Sequence, residues 1–245
     1  TRGRVDCGLE GVGTDASMDR FRGIRIFDIS DITNPMQVGA VQTCRGSHTH
    51  SVVAGPTADN KIVVYNSGTG RIRDDEEMES CIDDIGDTRT ALFRIDVIEI
   101  PINNPSASKI VSSPAVFADE ETGQLAGLWR GGDHGDPYKT QTTRMTNQCH
   151  DITVFPSKSL AAGACSGNGI LFDISDPSNP TMVSNVDNST QNLYGIEIYE
   201  DKAVGDVLCQ NNVKLTYSSQ NVIKHRNNKV KIKTSTTFKC AVIMF

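Results

Sequence analysis

At 245 residues, of which 37% are apolar, the chain has material for a sizeable core, and no run approaches the roughly 18 apolar residues of a membrane-spanning helix. That composition reads as a globular chain and argues against an integral membrane protein. The net charge is −6, yet residues 207–245 hold seven Lys/Arg and no acid, so removing those seven positive charges leaves −13 on the rest. An acidic body argues against nucleic acid as a partner, because phosphate binding requires a basic surface.

The first strand signal is IFDISDITNP, Ile26 to Pro35: apolar residues, then Asp and Ser to accept turn hydrogen bonds, then Asn-Pro at the exit. A return strand follows over Gln37 to Thr43, which makes a hairpin. Next come two short strands, HSVVAG (His50 to Gly55) and KIVVYNSG (Lys61 to Gly68). An acidic insertion, Arg71 to Thr90, contains RDDEEMESCIDDIGD. It matches no EF-hand spacing and reads as a solvated loop rather than a calcium site. A looser copy of the first motif, FRIDVIEIPINNP, runs from Phe93 to Pro105, with its return over Lys109 to Ser112.

A second insertion, Phe117 to Gln148, holds the lone tryptophan in GLWRGGDHGDP, where glycines can set His134 in a defined turn. The strand pair then repeats as HDITVFP (His150 to Pro156) and LAAGACSG (Leu160 to Gly167). LFDISDPSNP follows over Leu171 to Pro180, with a return over Thr181 to Val186. Setting Asp28, Asp96 and Asp173 in register gives repeat lengths of 68 and 77 residues. No copy can bury its apolar faces alone, so the copies are expected to stack. The predicted architecture is an all-β, β-propeller-like fold with about three four-stranded antiparallel blades in an incomplete ring.

The first copy has no upstream strand pair, so the chain reads as a fragment or mature form of a longer one, with an open blade edge available for self-association. Residues 1–206 form the partial propeller. Residues 207–245, rich in Asn and Lys, read either as a basic disordered tail or as non-native sequence.

Seven cysteines without any C-x-x-C pair point to disulfides rather than a zinc ribbon or redox site. Cys149 with Cys165 would span one hairpin, and Cys44 with Cys81 would tie down the acidic insertion. Oxidised cysteines place the chain in the periplasm, at the cell surface or outside the cell.

Four of the five histidines fall in GSHTH (His48, His50), GGDHG (His134) and CHD (His150). Alternate strand residues share a face, so His48 and His50 can project together, and His50 and His150 open corresponding strands. With Asp133 or Asp151 they form an imidazole and carboxylate set suited to zinc, copper or iron. The competing reading has these histidines hydrogen-bonding backbone and joining adjacent blades. Hydrolase, Walker and dinucleotide signatures are absent. Ser166 lies near His150 and Asp151 in sequence, which does not make a triad.

FRGIRIFDISDITNPMQVGAVQTCRGSHTHSVV (Phe21 to Val53), TALFRIDVIEIP, GLWRGGDHG and NQCHDITVFP through GACSGNGILFDISDPSNP together resemble the LVIVD-repeat proteins. The likeness spans about Asp19 to Asp187 and implies a secreted or cell-surface bacterial β-propeller. A more distant similarity is to the selenium-binding protein or methanethiol oxidase propellers, which implies a histidine-bound metal. The expected function is an extracytoplasmic binding or scaffold module for a protein or carbohydrate ligand. The alternative is a metal-dependent oxidoreductase using His48, His50, His134 and His150.

Overall fold

The computed structural model describes residues 3–4, 11–117, 128–133, 142–166 and 168–187, together with short backbone pairings at 197–198 and 216–217. Its described residues contain no α-helix; two single-turn 3-10 helices cover Pro105–Ala107 and Pro156–Lys158. The fold is all-β.

The IFDIS motif and its return form β1 (Gly23–Asp28) and β2 (Met36–Gln42), a two-stranded antiparallel sheet. A four-stranded meander follows, in the order β3 (Thr49–Ala54), β4 (Lys61–Ser67), β5 (Asp96–Pro101) and β6 (Lys109–Ser112). Two-residue strands β7 (Gly132–Asp133) and β8 (Thr142–Thr143) pair in the second insertion. The third sheet is again a four-stranded meander: β9 (Asp151–Phe155), β10 (Leu160–Cys165), β11 (Asn168–Asp173) and β12 (Thr181–Asp187). Two-residue strands β13 (Glu197–Ile198) and β14 (Thr216–Tyr217) pair in parallel.

The ladders of three hairpins share one irregularity. Pairing slips by one residue between Ile26 and Phe27, between Val97 and Ile98, and between Leu171 and Phe172. Each slip leaves one valine of the return strand unpaired: Val38, Val111 and Val183. Such a bulge bends the strand and sharpens its twist. Aligned on it, Asp28 and Asp173 correspond to Glu99, not to Asp96, so the spacings between corresponding positions become 71 and 74 residues. The turn chemistry recurs too, since Asp28 and Asp173 accept from the backbone N–H of Ser30 and Ser175 at 2.8 and 2.7 Å.

The three sheets stack. Strand β4 is buried over Val63–Ser67 because both of its faces are covered, and its neighbours divide between two cores. Ile24 and Val41 of the first sheet pack with Val64, Ile98 and Ile100, with Ile62 alongside. On the other face, Val63, Tyr65 and Val97 pack with Ile152, Ala161, Cys165, Ile170 and Phe172 of the third sheet. Close approach between the first two sheets depends on Gly39: a Cβ there would stand 2.4 Å from the carbonyl oxygen of Pro105. Tyr65, fully buried, donates its hydroxyl to the Pro177 carbonyl at 2.8 Å and so links the second sheet to the β11–β12 turn.

Both expected cysteine pairings are present at bonding distance, Cys44 with Cys81 and Cys149 with Cys165. The acidic insertion departs from a purely solvated loop, since Arg73, Glu77, Cys81 and Thr90 are buried. Most of its carboxylates are exposed, but Glu77 is buried between Arg20 and Arg73, which are themselves buried. Arg73 also donates to the Arg20 carbonyl and the Gln42 side chain at 2.8 and 2.7 Å. Two buried guanidiniums thus share one carboxylate and nearby backbone, as burial of charge requires.

Candidate functional site

The second and third sheets meet along their first strands. Strand β9 is the edge of its sheet, and its outward carbonyls need partners. Hydroxyls of the second sheet supply them: Thr49 and Ser67 both donate to the His150 carbonyl at 2.9 Å, and Ser51 donates to that of Ile152 at 2.8 Å. Thr49 and Ser51 alternate along β3, so one face of that strand delivers both.

This seam positions two histidines. His48 immediately precedes β3, with its backbone N–H held by the Ser67 carbonyl at 2.8 Å. His150 immediately precedes β9 and is held by the Ala164 carbonyl at 2.7 Å. Their rings lie 3.7 Å apart between centroids, inclined at 52°. Asp151, the first residue of β9, is buried, and its Oδ2 lies 2.7 Å from His150 Nδ1. Its Oδ1 lies 3.9 Å from His48 Nδ1. One ligand atom from each of the three side chains falls within 4.8 Å of the others. This set can hold a metal ion, and it is the cluster of this kind found among the described residues.

The remaining expected site residues divide. His50 lies on β3 but outside this group; its exposed ring sits with Nδ1 3.1 Å from Ser47 Oγ. It is therefore His48, not His50, that meets His150. Asp133 is placed only by its backbone, paired with Thr142, and its side chain, together with His134 and His225, lies outside the described residues. Ser166 has its Oγ 3.5 Å from the Gln148 carbonyl, which makes no catalytic set with His150.

Sequence reading missed the residues that support this region. Arg45 donates to the carbonyls of Gly70, Leu92 and Asn147, drawing the β2–β3 connection, the exit from β4 and the approach to β9 together. Burial lowers its guanidinium pKa to about 10. Asp96 is buried beside Arg94, whose Nε is 3.2 Å away, and receives the Ser113 hydroxyl at 2.9 Å; burial still raises its carboxyl pKa. A pocket of about 390 Å³ opens beside the Cys44–Cys81 bridge, with Arg45, Arg71 and Arg73 facing Asp74, Asp75 and Asp83. Its mixed charge favours neither anion nor cation.

Comparisons of this chain with protein-family models, with curated proteins and with solved structures find no match.

Proposed function

We propose that this chain is part of an extracytoplasmic β-propeller of the LVIVD-repeat type, acting as a binding or scaffold module. Its ligand, a protein or a carbohydrate, docks at the rim where β3 and β9 begin. The observation that supports this most is the recurrence of one bulged hairpin in three stacked sheets, with the second and third sheets tied by Thr49 and Ser51 of β3 and Ser67 of β4. Repeated sheets that close their faces on one another leave loops and first-strand edges as the variable binding surface. Two cysteine pairs at bonding distance fit a non-cytoplasmic location, and no helix among the described residues is long and apolar enough to cross a membrane.

The test is direct. The full chain, immobilised, is presented to a carbohydrate array and to an extracellular protein fraction. Saturable binding is expected, and Val52→Glu, at an exposed position on β3, should weaken it without changing the thermal midpoint. Absence of binding in both arms overturns the reading.

A further inference from the structure

The seam between the second and third sheets is held by neutral hydroxyl-to-carbonyl bonds, yet it ends in two imidazoles and a buried carboxylate. Hydroxyls alone satisfy the β9 edge, so stitching does not require the histidine side chains. Both histidines use their backbone N–H for strand pairing, and both rings remain partly exposed, with side-chain exposures of 37% for His48 and 24% for His150. Asp151 is only 10% exposed at its side chain. A buried acid beneath two accessible imidazoles is the order in which a metal site is built, with ligands outward and their orienting group behind.

We propose that His48 and His150 bind one divalent transition metal ion, of the zinc or copper class, across the two sheets, with Asp151 as the positioning residue. The role of Asp151 follows from geometry. With its Oδ2 2.7 Å from His150 Nδ1, it accepts that N–H and so fixes the tautomer that leaves the Nε2 lone pair for the metal. Two imidazoles select zinc, copper, nickel or iron over calcium or magnesium, which take oxygen ligands. At bond lengths of about 2.0–2.1 Å, tetrahedral donors stand roughly 3.3 Å apart. With the two ring centroids 3.7 Å apart, a nitrogen of each imidazole comes within reach of one shared ion when the partly exposed His48 ring turns while its backbone stays on Ser67. Water completes the coordination, so the ion keeps an open position toward solvent.

This inference is independent of the binding-module reading, which needs no metal. Copper or iron at this position would supply the redox centre that the oxidoreductase alternative requires. Zinc would instead act as an inter-sheet clasp.

Full-length, tag-free protein is stripped with chelator and titrated with Zn²⁺ and with Cu²⁺ by calorimetry. One ion per chain is expected, and a hundredfold excess over Kd should raise the thermal midpoint by roughly 5–10 °C. His48→Ala and His150→Ala should each abolish stoichiometric binding while the metal-free midpoints stay near that of the parent. Asp151→Asn should weaken affinity about 10–100-fold without changing stoichiometry. His50→Ala should leave binding unchanged. The copper form of the parent should show two imidazole nitrogens by electron spin-echo spectroscopy. Failure to bind either ion, or binding that survives both histidine substitutions, overturns the proposal. If an alanine variant does not fold, His48→Gln and His150→Gln provide the same comparison.

Discussion

Tyr65 offers the most economical probe of whether the second and third sheets form one packed body. Its ring is fully buried in the core between them, and its hydroxyl donates across to Pro177 at 2.8 Å. Burial, assisted by nearby Asp176, raises the phenol pKa well above its usual value, so it remains a neutral donor at ordinary pH. Tyr65→Phe keeps the ring and removes one neutral hydrogen bond, a net loss of about 1 kcal/mol. The Pro177 side of the bond is only half-buried, so water can replace the lost donor and the cost stays near that figure. For a chain of this size, about 1 kcal/mol corresponds to a fall of roughly 2–4 °C in the thermal midpoint. Tyr65→Ala also removes the ring, at about 3–5 kcal/mol. Urea titration followed by far-UV circular dichroism separates these values, with unchanged m showing that the transition remains cooperative. A Tyr65→Phe variant as stable as the parent, together with a Tyr65→Ala loss under about 1 kcal/mol, would falsify the packing described here.

Other outcomes follow from neighbouring parts of the fold. Gly39→Ala places a methyl against the Pro105 carbonyl, where backbone cannot yield cheaply; equilibrium unfolding should show a loss of about 1–3 kcal/mol, and a neutral result would mean the first two sheets do not touch there. Removing the Cys44–Cys81 link by a double Ala substitution opens a loop with a sequence separation of 37, and chain-entropy reasoning gives a loss of about 4 kcal/mol, measurable against the oxidised parent. Glu99 is held below its usual 4.5 first by Lys61, 3.0 Å away, and then by the Ser178 hydroxyl at 2.9 Å. Its contribution is present above 4.5 and lost as pH falls through the depressed folded-state value, so the gap between parent and Glu99→Gln should shrink in acid. A gap that stays constant down the acid range would contradict that assignment.

Much of the fold was legible because strand, polar turn and proline follow one another in each copy. The return strands and the two strand pairs fall within a residue or two of where alternation and turn residues place them, whereas β1 and β11 each begin three residues before the motif that signals them. Register was harder. Asp96 looks like the counterpart of Asp28 and Asp173 in the sequence, but the one-residue slip at Val111 makes Glu99 the equivalent position, and a bulge leaves no mark in composition. The histidine pair shows the same limit. His48 and His50 share strand parity, and only the way β3 lies against β9 decides that His48 reaches His150 while His50 turns to Ser47. Glu77 was hidden in an acidic run whose other members are solvated, since its burial depends on Arg20 and Arg73 arriving from distant segments. Arg45 carried no signal at all, because its partners are backbone carbonyls.

The unpaired valine shared by β2, β6 and β12 bears on how such an array grows. A kink near the same place in these three edge strands interrupts the straight row of amides on which a foreign strand would template, which disfavours sideways recruitment at those edges. The irregularity that obscured the register in the sequence thus also guards those margins against a foreign strand.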